Sequence, residues 1–127
     1  MILGIGIDLV EKARIDDLHQ RYGDQFARRV LNEGELEHFS HSTRKGWFLA
    51  NRFAAKEAIA KALGTGLRYP VTLHSVGIEN LENGRPEFRF SDTLKAYLDS
   101  RKVGGAHLSI THEKGLVCAV VVLEARQ

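Results

Sequence analysis

KGWFLANRFAAKEAIAKALGTG, residues 45–66, is the stretch on which the fold turns. From Lys45 to Leu63 there is no proline, no glycine after Gly46, and a run of alanines, a composition that favours helix. Gly64 and Gly66 follow at once and read as a C-terminal stop. Nearly every position around Glu57 is alanine or apolar, and a helix that is apolar almost all round is a buried one. The remaining segments must therefore wrap this helix.

Working outward, residues 2–10, ILGIGIDLV, read as a buried strand. Residues 11–31 look helical, with Gly23 as an interruption. Asn32 to His41 reads as a short helix with a capping box, Asn32 being followed three residues later by Glu35. Beyond the central helix, His74–Leu81 and Pro86–Phe90 form a hairpin about Glu82-Asn83-Gly84. Ser91 caps a helix to about Arg101, which Gly104-Gly105 breaks. Ala106–His112 and Gly115–Glu124 form a second hairpin around Glu113-Lys114. Helices and strands mix without strict βαβ alternation, so the fold class is α+β: a small, mostly antiparallel sheet against one long buried helix and shorter ones. The chain of 127 residues suits one domain, residues 1–127, and buries about two-thirds of its unfolded surface, enough for a core without staples.

Composition excludes several classes. Hydrophobic residues are 43% and charged residues 27%, so extended disorder is not expected. A net charge of +2 is too weak to argue for nucleic acid. No apolar run approaches a membrane span, and MILGIGIDLVEKAR lacks the basic start and cleavage site of a signal peptide. The single cysteine, Cys118, lies in an apolar run and reads as a buried hydrophobe in a reducing, cytoplasmic protein.

Four places can carry chemistry. In strand parity Asp8 shares a face with Gly4 and Gly6, while Leu3, Ile5, Ile7 and Leu9 share the other, which reads as the core face. Strand glycines mark close approach by backbone or ligand, and the acid beyond them must be solvated, paired or metal-bound. A plain surface acid at a strand end is the equal alternative. Glu57 and Lys61 lie one turn apart, either as an ordinary ion pair or, among small alanines, as part of a divalent-metal and phosphate site with Lys56. Gly64-Thr65-Gly66 alone reads as a helix stop; phosphate there needs Lys61, Arg68 or a metal to offset the negative helix end. In His107-Leu108-Ser109-Ile110-Thr111-His112, two histidines with hydroxyls suit an anionic ligand, although such residues are commonly just packed or solvated. Gly115–Leu123 is apolar on both faces, so it is either a central strand under two helices or half of an oligomer interface.

Together IGIDLVE, RFAAKEAIAKALGTG and LSITH, in this order and chain length, resemble the bacterial holo-acyl-carrier-protein synthases, the small 4′-phosphopantetheinyl transferases. The resemblance covers nearly the whole chain, and the middle motif is the specific one. It implies transfer of the phosphopantetheine arm of coenzyme A to a serine of an apo acyl carrier protein, with adenosine 3′,5′-bisphosphate released, in fatty acid biosynthesis. It implies Mg²⁺ held by Asp8 and Glu57, an active-site lysine at Lys61, and coenzyme A contacts at Lys61, Gly64, Gly66, Thr111 and His112. Arg52 and Lys56 are expected near the nucleotide end. Glu57 is the first choice as base, directly or through a metal-bound water, with Glu113 as competitor. Carrier docking falls on Arg14, and Leu18, Arg21 and Arg28 extend it along a basic stripe suited to an acidic partner. The family's small members are trimers with sites between subunits. A Mg²⁺-dependent nucleotide hydrolase would use the same Asp8, Glu57 and Lys61, but has no need of a basic docking stripe. A non-catalytic carrier-binding subunit would have no use for the carboxylates.

Overall fold

The computed structural model describes residues 1–127. Its elements run β1 (Ile2–Glu11), α1 (Lys12–Tyr22), α2 (Asp24–Val30), α3 (Glu33–Ser40), α4 (Lys45–Leu63), β2 (Val76–Asn80), β3 (Pro86–Phe90), α5 (Asp92–Ser100), β4 (Val103–Glu113) and β5 (Leu116–Ala125). β1, β5 and β4 form an antiparallel sheet in that order, and β2 and β3 form a separate hairpin. No helix is long and apolar enough to cross a membrane.

Local signals account for most boundaries. Gly23 takes φ +57 and ends α1, so residues 11–31 are two helices rather than one. Asn32 accepts from the Glu35 amide while the Glu35 carboxylate accepts from the Asn32 amide, the capping box in full. Gly64 ends α4 in the left-handed region. Ser91 caps α5 through the Leu94 amide. That helix stops at Ser100, with Lys102 at φ +62, ahead of the expected glycine break; Gly104 and Gly105 lie inside β4 instead.

α4 packs on the inner face of the three-stranded sheet. Leu49, Ala50, Ala54, Ala55, Ala58, Ile59 and Ala60 are wholly buried. The contact with β1 is as close as backbones allow. A Cβ on Gly6 would lie 1.9 Å from the Ala58 carbonyl oxygen, and one on Gly4 would lie 2.1 Å from that of Ala62. The glycine face of β1 is therefore the inner face. This reverses the sequence expectation: Ile5, Ile7 and Leu9 are 62%, 58% and 63% exposed, and Leu3 is exposed as well. The parity holds, but apolarity does not mark the core face here, because only glycines fit against α4 at this contact. On β5, Val117, Ala119, Val121 and Leu123 face inward and are buried. Cys118, Val120 and Val122 face outward and are half-buried, so Cys118 is not the enclosed hydrophobe expected.

Gly6→Ala should lower stability by about 3 kcal/mol or more, because the helix must move to admit one methyl group. Gly34→Ala, whose new Cβ would meet nothing closer than 3.6 Å, should leave the urea midpoint unchanged or slightly raised.

Candidate active site

The glycine contact delivers Asp8 to the flank of α4, two residues beyond Gly6 on the same face. Lys61 donates to the Asp8 carboxylate at 2.8 Å and to the Ile7 carbonyl at 3.1 Å. Asp8 is largely enclosed, whereas Lys61 is half-exposed. Glu57, one turn before Lys61, is half-buried. Burial pushes the Glu57 carboxyl pKa up, and the Asp8 charge pushes it further, against the opposing pull of Lys61 and Arg14. Two carboxylates thus share one field. The hydrogen bond to Asp8 is the largest cause raising the Lys61 pKa, so its ammonium stays charged. Arg14 of α1 joins this cluster through its field at Glu57. No group of three or more His, Cys, Asp or Glu side chains forms a metal cage. Two carboxylates with oxygen donors and open solvent suit a hard cation such as Mg²⁺, which binds through one or two carboxylates plus substrate phosphates.

The two lysines of the central motif have opposite fates. Lys56 is fully buried and donates to the Val30 carbonyl at 2.6 Å, the Glu35 carboxylate at 2.6 Å and the Leu73 carbonyl at 2.8 Å. Burial pulls its pKa down while Glu35 opposes. Arg52 is also buried. Its guanidinium lies over the Phe48 ring at 4.0 Å, with Nε 3.8 Å from Glu35. Desolvation lowers its pKa, again against Glu35. Glu35 additionally accepts from the Ile78 amide. The expectation that Arg52 and Lys56 reach a nucleotide is corrected: their charged ends point into the protein and join α4, α3 and β2.

The remaining candidates disperse. Gly64 and Gly66 lie at the open end of α4, both at positive φ with nothing near a built Cβ. Thr111 is exposed on the outer face of β4. His112 stacks on Trp47, ring centroids 4.5 Å apart. His112 pairs with Val117, and Asp8 with Ala119, so the two lie two strands and two rows apart, roughly 12 Å. Glu113, at the end of β4, is one row further from Asp8 and does not join Glu57 within one chain. His107 pairs with Glu124 on the outer face. Arg14, Leu18 and Arg21 share α1, with Arg21 near Asp17 at 3.4 Å, while Arg28 stands on α2 beyond the Gly23 break. The spacing of seven therefore does not make one helical stripe. Sequence reading missed a groove of about 440 Å³ beside Leu18, lined by Tyr22, Phe26, Arg29, Phe53 and Leu73. It joins α1, α2 and α4, and no periodicity within one segment could reveal it.

A family model described as the 4′-phosphopantetheinyl transferase superfamily matches residues 4–121. The chain belongs to this superfamily. Among its transferase relatives, the holo-[acyl-carrier-protein] synthase of Nitrosospira multiformis is 47% identical, covering 98% of this chain and 99% of that protein. The crystal structure of the Neisseria meningitidis holo-[acyl-carrier-protein] synthase superposes with a TM-score of 0.95 at 41% identity, covering 98% of this chain and 99% of that one. A Bacillus anthracis holo-(acyl-carrier-protein) synthase in complex with CoA (3′,5′-ADP) gives 0.82 at 37% identity over 99% of both chains. The transferase fold therefore extends over essentially the whole chain.

Lys56→Met should destabilise by about 3–5 kcal/mol, because it leaves the Glu35 carboxylate buried without its main partner. Lys61→Met should change stability by less than about 1 kcal/mol, since it breaks a half-exposed pair. Thermal unfolding of both variants separates the structural lysine from the site lysine.

Proposed function

We propose that this protein transfers the 4′-phosphopantetheine arm of coenzyme A to a serine hydroxyl of an apo acyl carrier protein, the step that readies carriers for fatty acid biosynthesis. The observation that carries this reading is the gathering of Asp8, Glu57 and Lys61 at one end of the β1–α4 contact. The serine oxygen forms a new bond to the phosphoryl phosphorus, the diphosphate bridge breaks, and adenosine 3′,5′-bisphosphate leaves. Such transfers depend on positioning and charge neutralisation. Asp8 and Glu57 would hold Mg²⁺, which supplies charge neutralisation at the diphosphate when bound. Lys61 provides a fixed positive charge for the phosphoryl oxygens. Glu57, whose pKa burial and the Asp8 charge raise, would take the serine proton. Gly64 and Gly66 leave room at the end of α4 for the substrate to lie against backbone.

The carrier docks on α1 and α2. Arg14, Arg21 and Arg28 offer exposed charge, and Leu18 opens into the apolar groove with Tyr22, Phe26 and Phe53, rimmed by Arg29. An acidic, amphipathic helix fits such a surface. Because Arg14 also acts on Glu57, a carrier seated there meets the acids. The groove favours a protein acceptor over hydrolysis of a free nucleotide.

The working unit is a homotrimer with sites between subunits. Leu3, Ile5, Ile7 and Leu9, continuous with Cys118, Val120 and Val122, form an apolar sheet face too large to leave in water. Thr111 and His112, remote from Asp8 in one chain, then meet coenzyme A from a neighbouring copy. A cytoplasmic setting fits the single unpaired Cys118.

Incubation with coenzyme A, Mg²⁺ and an apo acyl carrier protein should add one phosphopantetheine to the carrier by intact mass. EDTA should abolish the gain, and Asp8→Asn or Glu57→Gln should slow it at least about a hundredfold while leaving carrier binding intact. Full turnover in either variant would remove the metal assignment. Ile7→Glu, at an exposed position, should yield folded monomer by native mass spectrometry and lose most turnover. A trimer of normal activity would refute assembly through this face.

A further inference from the structure

Trp47 is the only tryptophan in the chain and stands in the first turn of α4. Its indole packs against the hydrophobic core and presents itself to His112, with ring planes 33° apart. The backbone beneath it is clamped. A Cβ on Gly46 would lie 2.2 Å from the Asp16 carboxylate and 3.0 Å from Lys12 Nζ, so α1 and α4 meet at this residue. Lys12, held by Asp16 at 2.6 Å, lies 5.2 Å from the indole centroid, and the Arg44 guanidinium lies 5.9 Å from it. Lys12 has its carboxylate; the Arg44 side chain and the His112 ring have no protein acceptor. Both are exposed.

The stack does not serve burial, since His112 stays exposed. Its effect is on orientation. The ring torsion of histidine is broad and roughly two-fold, so an imidazole without a hydrogen-bond partner samples many planes. Laid against a fixed indole, the ring keeps one plane, and the Arg44 guanidinium approaches the same indole at 5.9 Å. We propose that Trp47 is a positioning residue: it orders the His112 imidazole, beside Arg44, to receive a phosphate of coenzyme A. This rests on the transferase reading above, which gives His112 its ligand.

The test measures kcat and both KM values with coenzyme A and apo carrier for Trp47→Leu, Trp47→Phe, His112→Ala and the Trp47→Leu/His112→Ala double variant. Trp47→Leu should raise the coenzyme A KM about three- to tenfold, with the carrier KM and kcat within about twofold. Trp47→Phe should restore most of the loss, and the double variant should be no worse than His112→Ala. An unchanged coenzyme A KM in Trp47→Leu, or losses that add in the double variant, would overturn the proposal. So would equal losses in kcat and both KM values. Fluorescence gives a readout that needs no change at Trp47. His112→Ala should brighten the indole and diminish its response to coenzyme A, and emission identical to wild type would also overturn the proposal. If the wild-type protein modifies no carrier, the transferase reading fails and this inference falls with it. If wild type is active and Trp47→Leu matches it, only the inference fails.

Discussion

Everything in this molecule depends on how closely β1 and α4 approach. The Ala58 and Ala62 carbonyls stand where Gly6 and Gly4 would carry a side chain. Any larger residue on either strand position would lift the helix off the sheet. The two glycines therefore fix the height of α4, and the alanines fix its rotation. Asp8, next in the same row, is the first residue of that row with a polar side chain, and it emerges where the helix surface carries Glu57 and Lys61. The site is a consequence of small residues stopping and charged residues starting along one line of contact.

The same contact explains why adjacent residues of α4 do different work. Lys56 and Glu57 are separated by about 100° around the helix axis. One turns toward α3 and the segment around Leu73, the other toward β1. Lys56 is acceptable in the interior because Glu35 and two carbonyls satisfy all three of its donors. Glu35 in turn serves Lys56, the Ile78 amide and the Asn32 amide. That network ties α3 and β2 to the helix that carries Glu57. It holds the scaffold still while Glu57, half-buried, keeps a pKa raised by burial and by the Asp8 charge. A fully bonded interior lysine and a half-buried acid thus stand on neighbouring residues, divided by helix phase.

This division also marks what the sequence could reveal. The α+β class, the buried helix, the capping box and the glycine stops were legible, because each depends on local rules of propensity and capping. Asp8, Glu57 and Lys61 were legible as a set only because their motifs resemble a family; spacing alone left each open. The fates of Lys56 and Arg52 were not legible, since their anion, Glu35, lies 21 residues before Lys56 in the chain. The reversal of β1 had a different cause. Hydrophobicity says which residues avoid water, not what covers them. Here the glycine row is the intramolecular face, and Ile5, Ile7 and Leu9 are left uncovered by the chain's own elements.

That exposed row and the acid cluster have a common origin. Within one chain Asp8 stands roughly 12 Å from His112, across the width of the sheet. Both side chains rise from the inner face, Asp8 opposite Ala119 and His112 opposite Val117, and a diphosphate and a second phosphate on one nucleotide can span a distance of this order. Gly4 and Gly6 surrender their side chains to let α4 in, and this leaves the opposite apolar row without intramolecular cover. The packing choice that builds the acid cluster is thus the same choice that leaves an apolar row exposed on the single chain.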